Sequence, residues 1–435
     1  MGFRRDAWTV NDSRFGSCDR TLVRLERVIF LKPRKGWLSP AVHIGLQSLI
    51  VSERGTAAAL VERVSLRSYR SIGECDVALR PLTVIVGRNG SGKSNFLGSL
   101  HFLSDALSSS LEHAIRARGG IKAITHKRQG PPLRIEVSFR ATQHSITYLL
   151  ELDKGLVTRE ELMIRNPDGS QFARYVRSGR KLVAHTEEGR LEPVPAVLHD
   201  RLVLVALSGM PQFRGAFDLL SSMRFYRLNP ESMRVLQDPD EGEVLRSDGS
   251  NIASVWRRLR THEPELARRL TQYLNVIVPE IQSVHPFDLG TKETLHFHQR
   301  SGGRELTFAA SDVSDGTLRV FGALVASRQG HGRATLVAIE EPETALHPGA
   351  IAALMDALHE ASMDTQIIVT SHSPDVLDHV DMESDTLLVT DMIDANTTIA
   401  GVDFAGAEAM RRQLYTAGEL LRMDQLHPLE VATQR

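Results

Sequence analysis

A glycine-rich segment at residues 87–95, GRNGSGKSN, carries the strongest chemical signal in the sequence. It matches the pattern G-x-x-x-x-G-K-[ST] between an apolar run and a helical pattern, the context in which this pattern binds nucleotide phosphates. Lys93 supplies a positive charge for the β- and γ-phosphates, and the Ser94 hydroxyl is a ligand for Mg²⁺. The residues predicted to surround the phosphates are Gly87, Arg88, Asn89, Gly90, Ser91, Gly92, Lys93, Ser94 and Asn95. A flexible loop without a ligand is the alternative.

Two adjacent carboxylates, Glu340 and Glu341, follow an apolar run that begins at Thr335. One carboxylate can hold Mg²⁺, and the other can orient and deprotonate an attacking water. Neighbouring residues of a strand point to opposite faces, so one of the two must lie at or beyond the strand end for both to serve. An acidic helix N-terminus beginning at Pro342 is the alternative. The phosphate loop favours the chemical roles, and the residues leave open which glutamate takes which role.

A histidine, His372, follows another buried run, QIIVT at 366–370, and Pro374 then begins a helix. A residue just beyond the carboxyl end of a parallel strand lies where α/β folds place their ligands. His372 is therefore predicted to hydrogen-bond a γ-phosphate or the attacking water. A purely structural histidine is the alternative.

The segment SDVSDGTLRV at residues 311–320 has the composition of a helix start, with small polar residues before an amphipathic run. The N–H groups of a helix start are unpaired and carry partial positive charge, so they favour anions. Ser and Asp also cap helices that bind nothing. The residues alone leave two alternatives for Ser314 and Gly316, a simple cap or a contact to a phosphate.

Apolar periodicity predicts the elements that position these residues. The predicted strands outside the antiparallel region are 60–69, 75–79, 82–86, 294–298, 305–308, 335–340, 366–370 and 386–390, of which the last three are parallel. A helix is predicted at 93–107. Residues 132–207 alternate in short apolar runs, including LVLVAL at 202–207, which predicts an antiparallel sheet. Residues 212–275 have a helical pattern. Because the buried parallel strands alternate with helices, the predicted fold class is α/β.

Composition and charge are those of an ordinary globular protein. The chain has 435 residues, a formal net charge of −1 and 24% charged residues. No global field attracts nucleic acid, and two cysteines make no disulfide framework. No apolar run approaches the roughly 18–20 residues of a membrane span, and the start lacks a signal-peptide core. We expect a cytoplasmic protein that does not contact a membrane.

Two stretches are locally basic. Residues 1–58 carry ten Lys or Arg against five Asp or Glu, which is typical of a nucleic-acid-binding arm or of an unstructured extension. Their poor periodicity favours the unstructured extension. A start codon assigned too far upstream would produce such an extension. Residues 113–135 contain six Lys or Arg and no acidic residue. This stretch either binds the DNA backbone or is a solvated loop.

Four motifs occur in a characteristic order. They are the phosphate loop, VSDGT (313–317), EEPETALHP (340–348) and TSHSP (370–374). In this order they resemble the ABC-type ATPase heads of the SMC and RecF class. More closely, they resemble small, RecF-like bacterial ATPases of the AAA type. These are similar to the ATPase domain of OLD proteins but lack the nuclease domain that OLD proteins add. The segments LRSDGSNIASV and LYTAGELLR are also similar to that group, and the resemblance covers residues 60–425.

This resemblance implies a P-loop NTPase head with a mostly parallel core sheet, an antiparallel β lobe and a helical insertion. It implies ATP and Mg²⁺ as ligands, with Ser94 and Glu340 at the metal. Lys93, Glu341 and His372 are then the catalytic residues, with Glu341 as the base. Glu340 departs from the class, which usually has Asp at this position.

The resemblance also implies a partner. In ABC-type heads the signature helix binds the γ-phosphate held by a second head, so Ser314 and Gly316 would complete the site of another copy in an ATP-dependent homodimer. Asp315 replaces the first signature glycine and brings a negative charge towards that phosphate. Gln129 is the candidate for the glutamine loop.

The resulting organisation and function are expectations. The predicted segments are a basic extension (1–58), an ATPase domain (59–425) and a tail (426–435), the domain comprising 59–131 with the phosphate loop, 132–207 as antiparallel sheet, 208–280 as a helical insertion and 281–425 with the signature. We expect an ATPase whose dimer closure is coupled to DNA binding or sensing in repair or anti-phage defence. The alternative is a nucleotide-gated scaffold that controls an effector protein from a neighbouring gene, a nuclease or a toxin, without binding DNA.

Overall fold

The structure is a computed structural model. It describes residues 59–429, except for 129, 131, 142, 195, 197–200 and 330–333. The predicted extension at 1–58 and the glutamine-loop candidate Gln129 lie outside the described residues. Among the described helices, none combines the length and the apolar composition that a membrane crossing requires.

The described residues form a mixture of strands and helices. The strands are β1 (Leu60–Tyr69), β2 (Ile72–Ala78), β3 (Leu82–Val86), β4 (Leu133–Arg140), β5 (Ser145–Asp153), β6 (Leu156–Arg165), β7 (Gln171–Ser178), β8 (Lys181–Thr186), β9 (Gly189–Arg190), β10 (Arg224–Tyr226), β11 (Ile281–Leu289), β12 (Lys292–Ser301), β13 (Arg304–Ala309), β14 (Leu336–Glu340), β15 (Gln366–Ser371), β16 (Thr386–Ile393) and β17 (Asn396–Ala400). The helices are α1 (Lys93–Ser108), α2 (Leu111–Arg116), α3 (Ile121–Ile124), α4 (Val203–Leu207), α5 (Pro211–Ser221), α6 (Pro230–Arg234), α7 (Ile252–His262), α8 (Pro264–Ile277), α9 (Asp315–Ser327), α10 (Pro348–Ser362), α11 (Pro374–Leu377), α12 (Phe404–Arg411) and α13 (Ala417–Arg422).

One sheet of 14 strands has the order β10-β14-β15-β3-β16-β17-β2-β1-β4-β5-β6-β7-β8-β9. Strands β10, β14, β15, β3 and β16 are parallel neighbours, so the carboxyl ends of β3, β14 and β15 meet at one edge. The strands from β2 to β9 in this order are antiparallel. Strands β11, β12 and β13 form a second, antiparallel sheet. The predicted α/β class, with its mostly parallel core and antiparallel lobe, is confirmed.

Strand β3 shows why the core strands are continuous apolar runs. Val84 and Val86 pack in one buried cluster with side chains of α9 and α10, whereas Ile85 packs in a second cluster with side chains of α1. A parallel strand that is covered on both faces needs apolar side chains on both. The bounds predicted for β1 and β3 are confirmed, and α1 extends one residue beyond the predicted helix.

Two local predictions are wrong. The run LVLVAL was predicted to be a strand, but Val203–Leu207 forms helix α4. The buried Glu160 carboxylate accepts the first helical N–H groups, from Val203 at 2.7 Å and Leu204 at 3.0 Å, and so caps this helix from another part of the chain. The predicted helical stretch 212–275 also contains the short strand β10, which pairs with β14 at the sheet edge.

Replacing Glu160 with Ala should destabilise the protein by about 3–5 kcal/mol, because a buried ion pair loses one partner. Glu160 is fully buried, accepts hydrogen bonds from the Tyr148 and Tyr175 hydroxyls, and lies 3.7 Å from the buried guanidinium of Arg177. The substitution leaves Arg177 without its carboxylate and α4 without its cap. Equilibrium unfolding in urea measures the effect.

Glu161→Ala is the matched control for this prediction. Glu161 is the next residue on β6 and pairs with two half-exposed arginines, Arg159 and Arg174. Exposed ion pairs contribute about 0–1 kcal/mol, so the control should lose far less stability than Glu160→Ala. Equal losses for the two variants would show that the Glu160 cluster has no special role.

Candidate nucleotide-binding site

The predicted phosphate loop connects β3 to α1 and has a backbone that only glycine tolerates at its end. Gly92 precedes α1 with a φ of 107°, in the left-handed region. An added Cβ at Gly92 would lie 2.3 Å from the Thr397 hydroxyl oxygen. A side chain at this position would therefore push the loop away from β17. The loop ends at the N-terminus of α1, whose free N–H groups favour an anion.

Two threonines hold this loop from behind. The Thr390 hydroxyl lies 2.6 Å from the Ser91 hydroxyl and donates to the Val86 carbonyl at 3.0 Å. The Thr397 hydroxyl donates to the Ser91 carbonyl at 2.9 Å. Both threonines come from β16 and β17, far away in the sequence. Periodicity identified the strand at 386–390 but could not show that Thr390 faces the loop.

Lys93 is the cation of the site and is 6% exposed. Its ammonium group donates to the carbonyls of Gly87 at 2.7 Å and Arg88 at 3.1 Å. Burial lowers the pKa of Lys93, and the neighbouring carboxylates of Glu341, Glu343 and Glu340 oppose this shift. The lysine therefore lies in a field of negative charge that it partly neutralises.

The Ser94 hydroxyl donates to Glu340 Oε2 at 2.6 Å. Glu340 is the last residue of β14, and Ser94 lies in the first turn of α1. A hydroxyl and a carboxylate oxygen are hard ligands of the kind that Mg²⁺ prefers. The pair brings together the two residues predicted at the metal, so these residues fit a magnesium ion.

Glu341 lies just beyond β14 and escapes the alternation of the strand. Its φ is 44°, in the left-handed region, and its N–H donates to the Thr370 carbonyl at 3.0 Å. Its carboxylate is directed to the neighbouring loop, where Oε1 lies 3.5 Å from His372 Nδ1. The turn at Glu341 therefore directs its carboxylate to His372, while the carboxylate of Glu340 contacts Ser94.

The Ser314 turn begins helix α9, where the Ser314 hydroxyl accepts the Thr317 N–H at 3.2 Å. A Cβ added at Gly316 would lie 2.4 Å from the Ala345 carbonyl oxygen, so this glycine packs closely on the loop after β14. The Asp315 carboxylate pairs with the Arg234 guanidinium of α6. Among the described residues, no hydrogen bond joins the Ser314 turn to the phosphate loop of the same chain.

Two further residues of the predicted loop, Arg88 and Asn95, contact residues outside the loop. Arg88 pairs with Asp424 at 2.6 Å on the surface, and the Asn95 amide donates to the Ser71 hydroxyl at 2.6 Å.

In the basic stretch at residues 113–135, three arginines pair with carboxylates. These pairs are Arg116 with Glu112, Arg118 with Asp105, and Arg134 with Glu136 and Glu151. Three of the six positive charges of this stretch are therefore matched by acids of the protein itself.

Residues 82–378, more than half of the chain, match the protein family described as "AAA domain, putative AbiEii toxin, Type IV TA system". The chain belongs to this family. The matched range of the AAA domain begins at β3 and ends just after α11, so it contains the phosphate loop, the Ser314 turn, both glutamates after β14 and His372. No curated protein matches the sequence.

Solved structures of SMC heads are similar to this AAA domain at low identity. The Smc head of Pyrococcus furiosus bound to the C-terminal domain of ScpA has 12% identity and a TM-score of 0.49, over 82% of this chain and 99% of that one. The SmcHead bound to the C-winged helix domain of ScpA has 13% identity and a TM-score of 0.47, over 80% of this chain and 99% of that one. The SMC head domain from Thermotoga maritima has 13% identity and a TM-score of 0.40, over 79% of this chain and 99% of that one.

Proposed function

We propose that this AAA domain binds ATP at the phosphate loop and hydrolyses it to ADP and phosphate. The observation that carries the proposal is the grouping of charges around the loop. Lys93 lies in the field of Glu340 and Glu341, Ser94 bonds to Glu340, and His372 lies beside Glu341. These residues come from three separate segments of the chain: the phosphate loop, the end of β14 and the turn after β15. A phosphate cradle that only bound nucleotide would not need the segments after β14 and β15.

Each residue then has a defined role in hydrolysis. Lys93 and the loop N–H groups bind the phosphates, while Ser94 and Glu340 would hold Mg²⁺, which would supply neutralising charge. The water oxygen attacks the γ-phosphorus while Glu341 accepts the water proton. The bond from the γ-phosphorus to the β–γ bridging oxygen breaks, and ADP leaves with the electron pair. His372 orients the water together with Glu341.

ATP-driven pairing of two copies is the second part of the proposal. Each chain has one phosphate loop and one Ser314 turn, and in a single chain the two are not joined by hydrogen bonds among the described residues. The N-terminus of α9 suits a phosphate, and the packing of Gly316 on Ala345 holds it in place. A two-fold dimer would bring each Ser314 turn to the ATP of the other copy.

The pair between Arg234 and Asp315 gives a specific test of this dimer. Without Arg234 the Asp315 carboxylate would repel the γ-phosphate, so Arg234→Ala should weaken ATP-dependent dimerisation by about tenfold, while Asp315→Asn in the same chain should restore it. Sedimentation with ATP at several protein concentrations measures the dimer constant.

Arg214→Ala is the control for the charge pair, since Arg214 pairs with Asp218 on the exposed surface of α5. It should leave dimerisation unchanged. If Arg234→Ala weakens the dimer and Asp315→Asn does not restore it, Arg234 acts only by holding the Val313 carbonyl, to which it donates at 3.0 Å.

The biological output has two candidates. In the first, dimer closure is coupled to DNA binding or sensing in the cytoplasm, in repair or anti-phage defence. In the second, closure holds or releases an effector protein from a neighbouring gene. The toxin named in the description of the family and the arginine–carboxylate pairs of the 113–135 stretch support the second. Turnover with and without duplex DNA separates them, since stimulation by DNA supports the first and its absence supports the second.

A further inference from the structure

We propose that Glu343 is a positioning residue that ties the loop carrying Glu341 to the turn carrying His372. The inference rests on the proposed hydrolysis and adds a residue to it. Glu343 lies inside the motif at residues 340–348, two positions after Glu341 and between β14 and α10, and the proposed hydrolysis gives it no role.

Two consecutive hydrogen bonds form the tie. Glu343 is 4% exposed, and its Oε1 accepts a hydrogen bond from the hydroxyl of Ser371, which is fully buried at the end of β15. The bond is 2.6 Å long. The same Ser371 oxygen accepts the N–H of Ser373 at 2.9 Å. The hydroxyl of Ser371 therefore links Glu343 to the backbone on the far side of His372.

The turn around Glu343 leads the tie back to Glu341. The Thr344 N–H donates to the Glu341 carbonyl at 3.2 Å, and the Leu346 N–H donates to the Glu343 carbonyl at 2.9 Å. Glu341 is itself anchored to Thr370, the residue before Ser371. The segments 341–346 and 370–373 thus form one hydrogen-bonded unit with Glu341 and His372 on it.

The direct contact between Glu341 and His372 needs this support. Their closest polar atoms are 3.5 Å apart, which is too long for a strong hydrogen bond to hold the pair by itself. Both side chains are partly exposed to water, so packing restrains them only in part. The separation of these two groups is therefore set by the backbone segments below them, which Glu343 and Ser371 join.

The chemistry of Glu343 also differs from that of a residue that serves only packing. Its second oxygen, Oε2, is buried and has no hydrogen-bond partner among the described residues. Burial raises the pKa of Glu343, and the Ser371 hydroxyl opposes the shift. A buried polar oxygen without a hydrogen-bond partner costs free energy.

Four variants test the tie, with kcat and KM for ATP measured separately. Glu343→Ala and Ser371→Ala should each lower kcat by about 10–100-fold and change KM by less than about twofold, because misplaced groups slow the chemical step and not binding. The double variant Glu343→Ala, Ser371→Ala should be no slower than the slower single variant, because both changes break one tie. Glu343→Gln keeps an acceptor for Ser371 and should retain kcat within about threefold.

Ser327→Ala is the matched control. Ser327 is a buried serine at the C-terminal end of α9, far from the Ser314 turn in the sequence, and its hydroxyl donates to the Leu324 carbonyl. It should leave kcat unchanged. If Glu343→Ala does not fold, Ser371→Ala and Glu343→Gln decide the question alone. Unchanged kcat in Ser371→Ala, additive losses in the double variant, or a loss confined to KM would each overturn the inference. A wild-type protein that turns over no ATP would instead overturn the proposed hydrolysis.

Discussion

Glu341→Gln should reduce ATP turnover by about 10³-fold, within the range that a general base contributes, and leave ATP binding intact. An amide has the shape of the carboxylate but cannot accept the proton of the attacking water. Glu341 contacts His372 and does not bond to Ser94, so the phosphate and metal contacts should persist. Phosphate release measures turnover, and titration with a fluorescent ATP analogue measures affinity.

The same variant tests the dimer, because ATP that is bound and not hydrolysed should keep two copies together. Light scattering should therefore show twice the mass of the monomer with ATP and the monomer mass with ADP. Glu265→Gln, on the exposed surface of α8, is the matched control and should behave like the wild type. A Glu341→Gln protein that keeps more than about a tenth of wild-type turnover would rule out the base role.

Glu340→Gln separates the roles of the two adjacent glutamates. Because Glu340 and not Glu341 bonds to the Ser94 hydroxyl, its replacement should weaken the dependence of ATP binding on Mg²⁺. Glu341→Gln should leave that dependence as it is. The opposite pattern would exchange the two assignments.

Lys93→Ala should lower the affinity for ATP by about 100-fold, the second of the two largest effects expected. The lysine is the buried cation among Glu340, Glu341 and Glu343, and without it a triphosphate would meet uncompensated negative charge. The ammonium group also holds the carbonyls of Gly87 and Arg88 in place. Calorimetric titration with ATP and with ADP measures the loss, which should be larger for ATP because the γ-phosphate adds charge.

Lys181→Ala is the control for this prediction, since Lys181 is exposed at the start of β8. It should bind ATP like the wild type. Thermal melting of the nucleotide-free proteins shows whether Lys93→Ala is folded. A folded Lys93→Ala protein with unchanged affinity for ATP would show that the phosphates bind elsewhere.

Local patterns in the sequence determined the phosphate loop and the elements beside it. The glycines of residues 87–92, the apolar run before them and the helical pattern after them are all within a short stretch of chain, and β3 and α1 form as predicted. The helix start at Ser314 was also local, since a polar cap and the following amphipathic run need no distant partner. Such features depend on backbone conformation and periodicity, which neighbouring residues control.

Only the tertiary structure decided which side chains meet. The sequence left two roles open for Glu340 and Glu341, and the left-handed turn at Glu341, held by Thr370, directs one to Ser94 and the other to His372. The conformation of α4 was likewise decided by a carboxylate from β6, which overrode the strand pattern of its own residues. These outcomes depend on hydrogen bonds and charge pairs between distant segments. Periodicity records which residues are buried, but it does not record which buried partners they find.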